Sequence, residues 1–127
     1  MTEVDFRISS AHLANDAYIV SLGGEIDLYT APKLEEALAG LTASGARRVV
    51  IDLAGAAFID STVLDVLVNA LTRLDAGGGE LILVSDDRRI LKILEVSGLE
   101  RRFRIAPTLT DAIASLARPA RGAEGIA

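Results

Sequence analysis

The chain has 127 residues, of which 50% are hydrophobic, a formal net charge of −5 and no cysteine. This length fits one domain, and the acidic balance argues against a general nucleic-acid binder, which would carry a basic field. The lack of cysteine excludes disulfides, thiolate metal sites and cysteine nucleophiles. No apolar run approaches the roughly 20 residues of a membrane span, and residues 1–5 lack signal-peptide features. We therefore expect a cytoplasmic protein without a membrane span.

The N-terminal region predicts a β-hairpin. Residues 5–14 alternate loosely, and residues 16–22 more clearly, with Tyr18, Val20 and Leu22 alternating with Ile19 and Ser21, which is typical of strands. Asn15-Asp16 lies between the two segments and is a common turn pair. Gly23-Gly24 indicates a turn or a bulge, and residues 25–29 are expected to continue in an extended conformation.

The first helix is predicted to begin near Thr30. This threonine offers an N-cap, and Pro32 falls in the first turn, where its missing N–H costs little. Gly40 or Gly45 is expected to end the helix, because glycine is common just beyond the last helical residue. Four apolar residues at helical spacing predict the buried face, namely Leu34, Ala37, Leu38 and Leu41.

The middle of the chain predicts a strand, a junction and a second helix. Residues 47–53 contain a short run of β-branched residues, which is typical of a strand buried on both faces of a parallel sheet. Residues 54–60 form the expected junction, and residues 61–75 show helical periodicity. The expected core stripe of this helix is Leu64, Leu67, Leu71 and Leu74, and the opposite stripe is Asp65, Asn69 and Thr72.

The last third of the chain predicts two further strand–helix pairs. Gly77-Gly78-Gly79 is a flexible turn, and apolar runs alternate with turn signals after it. The expected elements are a strand at 80–85, a helix that Asp86 or Asp87 caps and Gly98 ends, a short strand at 102–105, and a helix that begins at Thr108 or Thr110.

The order of these elements predicts the fold class. An opening hairpin followed by alternating helices and strands indicates an α/β domain with a mixed, mostly parallel sheet packed against about four helices. We expect a single domain over residues 4–118, without an internal repeat or linker. Residues 119–127 are mostly small and polar, and we expect them to form a disordered tail.

The junction Asp60-Ser61-Thr62 places an acid and two hydroxyls where a helix begins. The first turn of a helix has unpaired N–H groups and a partial positive charge. Ser, Thr and Asp side chains cap such an end, and the same end also suits a phosphate. From the residues alone, Ser61 is either a cap or a phosphoryl acceptor, and Asp60 is a cap, a turn residue or a partner contact.

The next two residues also have alternative interpretations. Thr62 is either a second phosphoryl acceptor or part of a capping box with Asp65, three residues later, and we favour the box. Val63 belongs either to the core or to an exposed surface beside the junction. In the second case it would contact a partner.

Other polar residues give no sign of catalysis. The basic residues near the third predicted helix form either a solvated face or a patch for an anion or an acidic partner. His12 is the only histidine, so it has no second histidine or cysteine with which to share a metal. The sequence shows no nucleophile–base pair and no glycine-rich phosphate loop, so we expect no catalytic residue, metal or cofactor. The basic set is Arg88, Arg89 and Lys92, with Arg101, Arg102 and Arg104 after them.

Three stretches of the chain are similar to one known family. Residues 24–28 with Thr30-Ala31-Pro32 resemble the family's segment before its first helix, and residues 94–99 resemble the end of its third helix. The most specific stretch is Val50-Ile51-Asp52-Leu53 followed by Phe58-Ile59-Asp60-Ser61-Thr62. Over residues 4–118 the chain resembles the STAS domain and, within it, the anti-sigma factor antagonists of bacteria.

The resemblance implies a function and a site. In that family the serine directly after the loop aspartate accepts a phosphate, and this position is Ser61. The implied partner is an anti-sigma factor that is also an ATP-dependent serine kinase, and the unmodified antagonist binds it and frees the sigma factor. We expect a monomer or weak dimer that is not an enzyme and does not bind nucleic acid directly. The residues implied in partner binding are Asp27, Tyr29, Thr30, Asp60, Ser61, Thr62 and Val63.

Phosphorylation of Ser61 would act through charge. A phosphoserine adds about −1.5 to −2 charges near neutral pH, directly beside Asp60. In a desolvated interface such crowding of like charges costs several kcal/mol, which is enough to release a partner without refolding. The helix N-terminus is expected to stabilise part of this charge in the free protein.

One departure from the family pattern supports an alternative function. The family usually has glycine after its two hydroxyl residues, where this chain has Val63, and a small residue further on, where it has Asp65. The alternative is a STAS adaptor that is never phosphorylated and acts in a signalling or transporter complex. A nucleotide binder or enzyme, with Asp60-Ser61-Thr62 as a phosphate site, is a third interpretation for which the catalytic partners are missing.

Overall fold

The computed structural model describes residues 6–116. Residues 1–5 and 117–127 lie outside the described part, and so do the predicted tail at 119–127 and the outermost residues of the predicted domain at 4–118. The elements in chain order are β1 (Phe6–Ala14), β2 (Ala17–Ile26), α1 (Ala31–Ala43), β3 (Arg48–Ile59), α2 (Ser61–Ala76), β4 (Glu80–Val84), α3 (Arg88–Val96), a 3₁₀-helix (Leu99–Arg101), β5 (Arg104–Ala106) and α4 (Leu109–Leu116).

The five strands form one sheet in the order β1-β2-β3-β4-β5. β1 pairs with β2 in the antiparallel direction, and the remaining neighbours pair in parallel. The predicted hairpin is confirmed, and Asn15 in its turn adopts a positive φ of 52°, which asparagine tolerates better than most residues. The predicted α/β class, with a mixed and mostly parallel sheet and about four helices, is likewise confirmed.

Helices cover both faces of the sheet. Side chains of α1, α2 and α3 share the larger hydrophobic cluster, to which they contribute Leu34, Leu67 and Leu94. On the opposite face, Leu116 of α4 shares a smaller cluster with Val50 of β3. Since the residues on either side of Val50 enter the larger cluster, β3 is buried on both faces over residues 49–51, as predicted.

The predicted face of α1 is buried at Leu34 and Leu38 and half-buried at Ala37 and Leu41, and α2 presents both of its predicted faces. The leucine stripe of α2 is buried, and the opposite stripe is exposed. α1 ends at Ala43, and Gly45 follows with a φ of +100°, a conformation that favours glycine. Gly40 lies inside the helix and does not end it.

Within residues 6–116, none of the helices has the length and apolar character needed to cross a bilayer.

β3 is longer than predicted and includes most of the expected junction. It continues through residues 54–59, because β2 remains paired with it as far as Ile26 and Ile59. Gly55 permits a close approach of the two strands, since a Cβ there would lie 3.0 Å from the carbonyl oxygen of Leu22. The predicted irregularity at Gly23-Gly24 is confirmed, because the β2–β3 register shifts on either side of this pair.

The segment after β2 turns instead of remaining extended. β2 ends at Ile26, and the chain changes direction over residues 27–30. The expected strand at 25–29 is therefore wrong beyond its second residue. The reason is local, since the Asp27 carboxylate accepts hydrogen bonds from backbone N–H groups further along the chain, as aspartate commonly does in turns.

The C-terminal boundaries agree closely with the prediction. Asp87, one of the two predicted caps, accepts a hydrogen bond from the Arg89 N–H at the start of α3. The 3₁₀-helix delays β5 to Arg104, so the strand does not begin at residue 102. Thr108 is the residue that caps α4, because its hydroxyl oxygen accepts a hydrogen bond from the Asp111 N–H at 3.1 Å.

Candidate functional site

The two segments predicted to form the site meet at the carboxyl edge of the sheet. β2 and β3 are parallel neighbours, and Ile26 pairs with Ile59 at the end of their register. The chain leaves β2 into Asp27 and leaves β3 into Asp60. Pairing of the two strands therefore places the turn at residues 27–30 beside the beginning of α2, although the two are far apart in sequence.

Asp60 caps α2. Its backbone is extended, with φ −115° and ψ −178°. One carboxylate oxygen, Oδ1, accepts hydrogen bonds from the Thr62 N–H at 3.0 Å and from the Val63 N–H at 3.2 Å. This is the geometry of an N-cap, and the negative charge suits the positive end of the helix dipole. Of the three interpretations of Asp60, the cap is confirmed.

Ser61 is the first residue of α2, and it is exposed. Because Asp60 occupies the cap position, the interpretation of Ser61 as the cap is wrong. The Ser61 hydroxyl has no hydrogen-bond partner among residues 6–116. A hydroxyl in this state is available as a hydrogen-bonding contact for a partner and as an acceptor for a phosphoryl group.

Thr62 and Val63 differ in exposure. Thr62 is exposed and is the second residue of α2. A capping box requires its threonine at the N-cap position, before the helix begins. The predicted capping box between Thr62 and Asp65 is therefore wrong. Val63 is 0% exposed and packs in the larger cluster, which confirms the core interpretation and keeps its side chain out of any contact surface. Its burial anchors the first turn of α2 to the sheet.

Hydrogen bonds hold the turn at residues 27–30 in a defined shape. The Asp27 Oδ1 accepts from the Tyr29 N–H at 3.0 Å and from the Thr30 N–H at 3.2 Å. In return, the Thr30 Oγ1 accepts from the Asp27 N–H at 2.9 Å. Thr30 occupies the N-cap position of α1 as predicted, but its side chain makes no capping hydrogen bond, because the buried hydroxyl is directed back toward Asp27.

Large apolar side chains are exposed at the carboxyl edge. Within residues 6–116 five such side chains are exposed, and three of them lie at this edge: Leu28 at 54% and Tyr29 at 81% in the turn, and Phe58 at 49% near the end of β3. Of these three, only Tyr29 is among the residues that the sequence analysis predicted to bind a partner. An apolar residue inside a turn is a signal that could have identified Leu28. Apolar side chains left in water at one end of a domain are typical of interaction sites.

The basic residues of α3 are largely paired with acids. Arg89 lies 2.9 Å from the Asp87 carboxylate, and Lys92 lies 3.5 Å from that of Glu95. The hydrogen bond from the Arg89 side chain lowers the pKa of Asp87 to about 2. These pairs favour a solvated face over an anion site.

The described residues also contain no group of three or more His, Asp or Glu side chains that could hold a metal.

Comparison with known proteins shows one consistent likeness. The sequence model of the STAS domain family matches residues 9–112 of this chain. The anti-sigma-B factor antagonist of Staphylococcus aureus is 36% identical over 83 residues, which are 65% of this chain and 77% of that protein.

Solved structures show the same likeness. An anti-sigma factor antagonist from Mycobacterium paratuberculosis has a TM-score of 0.78 and 29% identity, over 88% of this chain and 96% of that one. The Bacillus cell fate determinant SpoIIAA, in its phosphorylated form, has a TM-score of 0.69 and 20% identity, over 87% of this chain and 98% of that one. At this lower identity the likeness concerns the fold alone.

Proposed function

The chain belongs to the STAS domain family, and we propose that it is an anti-sigma factor antagonist whose unmodified form binds an anti-sigma factor in the cytoplasm and so frees a sigma factor. The observation that carries this proposal is the free hydroxyl of Ser61, exposed at the first position of α2 beside the capping Asp60. The relatives named as antagonists of anti-sigma factors support the class of partner.

The proposed partner surface lies on the carboxyl edge of the sheet. Tyr29, Ser61 and Thr62 contact the partner directly, since all three are exposed. Asp60 is half-buried and borders this surface through its carboxylate. The remaining residues of the predicted set act from behind the surface by holding its two segments in place, and these are Asp27, Thr30 and Val63.

The proposed inactive state carries a phosphate on Ser61. The anti-sigma factor, acting as a serine kinase, holds ATP, and the Ser61 Oγ attacks the γ-phosphorus. A new O–P bond forms, the bond to ADP breaks, and the hydroxyl proton passes to a base of the kinase. The antagonist supplies only the acceptor hydroxyl, so it needs neither a catalytic residue nor a cofactor of its own.

The added charge releases the partner without unfolding α2. Asp60 makes the cap hydrogen bonds, so modification of Ser61 leaves those bonds intact. The phosphate adds about −1.5 to −2 charges next to the Asp60 carboxylate, in an interface from which the partner excludes water. Like charges in that setting cost several kcal/mol, and the complex dissociates.

Mass spectrometry after incubation with ATP and the anti-sigma factor of the same organism tests the modification. We expect one phosphate, on Ser61, in the parent chain and none in Ser61→Ala. Thr62→Ala distinguishes the two neighbouring hydroxyls, because it removes the second one and should still give one phosphate, on Ser61. A phosphate found on Thr62 alone would contradict the assignment.

Val63 favours a second candidate function, a STAS adaptor that is never phosphorylated. This residue puts a buried, β-branched side chain where the family usually has glycine, and β-branching stiffens the first turn of α2. A stiff turn suits a constant docking surface in a signalling or transporter complex. An unmodified Ser61 in the experiment above, with stable binding to such a complex, would identify the adaptor.

A further inference from the structure

Two of the backbone N–H groups at the α2 N-terminus already have a carboxylate acceptor. A free helix N-terminus attracts phosphate, because its first N–H groups lack partners and the helix dipole is positive there. In α2 the N–H groups of Thr62 and Val63 both donate to one oxygen of Asp60, at 3.0 and 3.2 Å. Ser61 stays outside this pair of hydrogen bonds and is exposed.

We propose that Asp60 is a positioning residue that keeps a phosphate on Ser61 away from the α2 N-terminus and directs its charge outward. This inference rests on the proposed function, since it concerns the phosphorylated form of the same serine. It replaces the expectation that the helix N-terminus stabilises part of the phosphate charge, and it explains how a modification at this position leaves its charge on the partner surface.

Two physical effects act in the same direction. The Asp60 carboxylate is held next to the donors by the chain itself, and as an anion it repels the phosphate at short range. Val63 is 0% exposed, so the first turn of α2 cannot tilt its N–H groups toward Ser61 without disturbing a close-packed core. A partner that covers Ser61 must therefore desolvate the phosphate.

Nuclear magnetic resonance on the full chain tests this arrangement without any kinase. Phosphoserine is incorporated at position 61 during translation, in the parent chain, in Asp60→Asn and in Asp60→Gly. Asparagine keeps the cap without its charge, whereas glycine removes the acceptor and is tolerated at an N-cap with little loss of helix stability. The phosphorus resonance and the amide proton resonances of Thr62 and Val63 are followed from pH 4 to pH 8.

In the parent chain we expect the amide resonances of Thr62 and Val63 to stay nearly constant while the phosphate loses its second proton. In Asp60→Gly both should move downfield, because the phosphate now accepts these hydrogen bonds, and the phosphate pKa should fall by about half a unit or more. Asp60→Asn should keep the amide resonances constant and give an intermediate phosphate pKa, since only the repelling charge is lost.

Asp87→Gly is the matched control, because it removes the same kind of cap from α3 and should leave both readouts at Ser61 unchanged. If the amide resonances move as far in the parent chain as in Asp60→Gly, the phosphate displaces Asp60 and the inference is wrong. The inference is equally wrong if the amide resonances of Thr62 and Val63 move neither in the parent chain nor in Asp60→Gly. Because the phosphate is built in, failure of a kinase to modify Ser61 would refute the proposed function and leave this result standing.

Discussion

Two neighbouring residues have separate roles at the start of α2: Asp60 caps the helix, and Ser61 presents an exposed hydroxyl. The acid accepts the two N–H groups at the start of α2, and the serine hydroxyl remains without a partner among the described residues. A single serine could not serve both purposes, because a hydroxyl engaged in a cap is turned toward the helix. The side chain available for modification is therefore not one on which the helix depends.

Stability measurements should distinguish the roles of Asp60 and Ser61. We expect Asp60→Ala to lower the free energy of unfolding by about 1 kcal/mol, because the two N–H groups lose their acceptor. Ser61→Ala should change it by less than about 0.5 kcal/mol, as is usual for an exposed residue without specific contacts. Urea unfolding followed by circular dichroism gives both values, and equal losses would show that the serine shares the cap.

At the scale of elements, the turn between β2 and α1 is organised before any partner binds. Reciprocal hydrogen bonds between Asp27 and Thr30 fix its backbone, and the Asp27 carboxylate also holds the Tyr29 N–H. Tyr29 is 81% exposed on this turn. A rigid turn loses little conformational entropy on binding, so an aromatic side chain presented in this way suits the anchor of an interface.

Replacement of this aromatic side chain should weaken the complex with the anti-sigma factor. We expect Tyr29→Ala to raise the dissociation constant about tenfold or more, because truncation of a central aromatic contact typically costs over 1 kcal/mol. Calorimetric titration provides the measurement. Val96→Ala is the matched control, since Val96 is also apolar and 75% exposed but stands at the C-terminal end of α3. Equal effects of the two substitutions would remove Tyr29 from the interface.

Over the whole molecule, the parallel part of the sheet determines where the site lies. Each of α1, α2 and α3 follows a strand, so their N-terminal residues Thr30, Asp60 and Asp87 come after the carboxyl ends of β2, β3 and β4. Such an edge is the usual place for ligands and partners in α/β sheets. The packed core behind it resists deformation, so a modification at Ser61 changes charge at this edge and not the shape of the domain.

A fixed negative charge at residue 61 should therefore affect binding and not folding. We expect Ser61→Asp to raise the dissociation constant for the anti-sigma factor about tenfold, less than a phosphate would, because one carboxylate carries less charge. Ser61→Ala should keep the parent affinity. Surface plasmon resonance measures both, and unchanged circular dichroism spectra control for folding. If Ser61→Asp binds as tightly as the parent, release by charge is contradicted.

Local patterns were sufficient to predict most of the fold. The leucine stripe of α2, the alternation in β2 and the turn at Asn15-Asp16 are properties of short stretches, since helices and strands impose periods of 3.6 and 2 residues on the positions that face a core. The α/β class follows from the order of these stretches. The Asp60-Ser61-Thr62 junction was recognisable as well, because it combines three capping residues at the start of a periodic segment.

Only the tertiary structure decided which of these junction residues has which role. Asp, Ser and Thr are nearly equivalent caps in sequence. In the structure β3 ends at Ile59, Asp60 caps α2, and the packing of α2 on the sheet buries Val63 and leaves Ser61 exposed. The glycine- and alanine-rich residues 54–57 lack a strand pattern, and they extend β3 because a neighbouring strand offers hydrogen bonds. Periodicity is encoded locally, whereas pairing and burial depend on residues distant in sequence; for that reason the elements could be predicted and the geometry of the site could not.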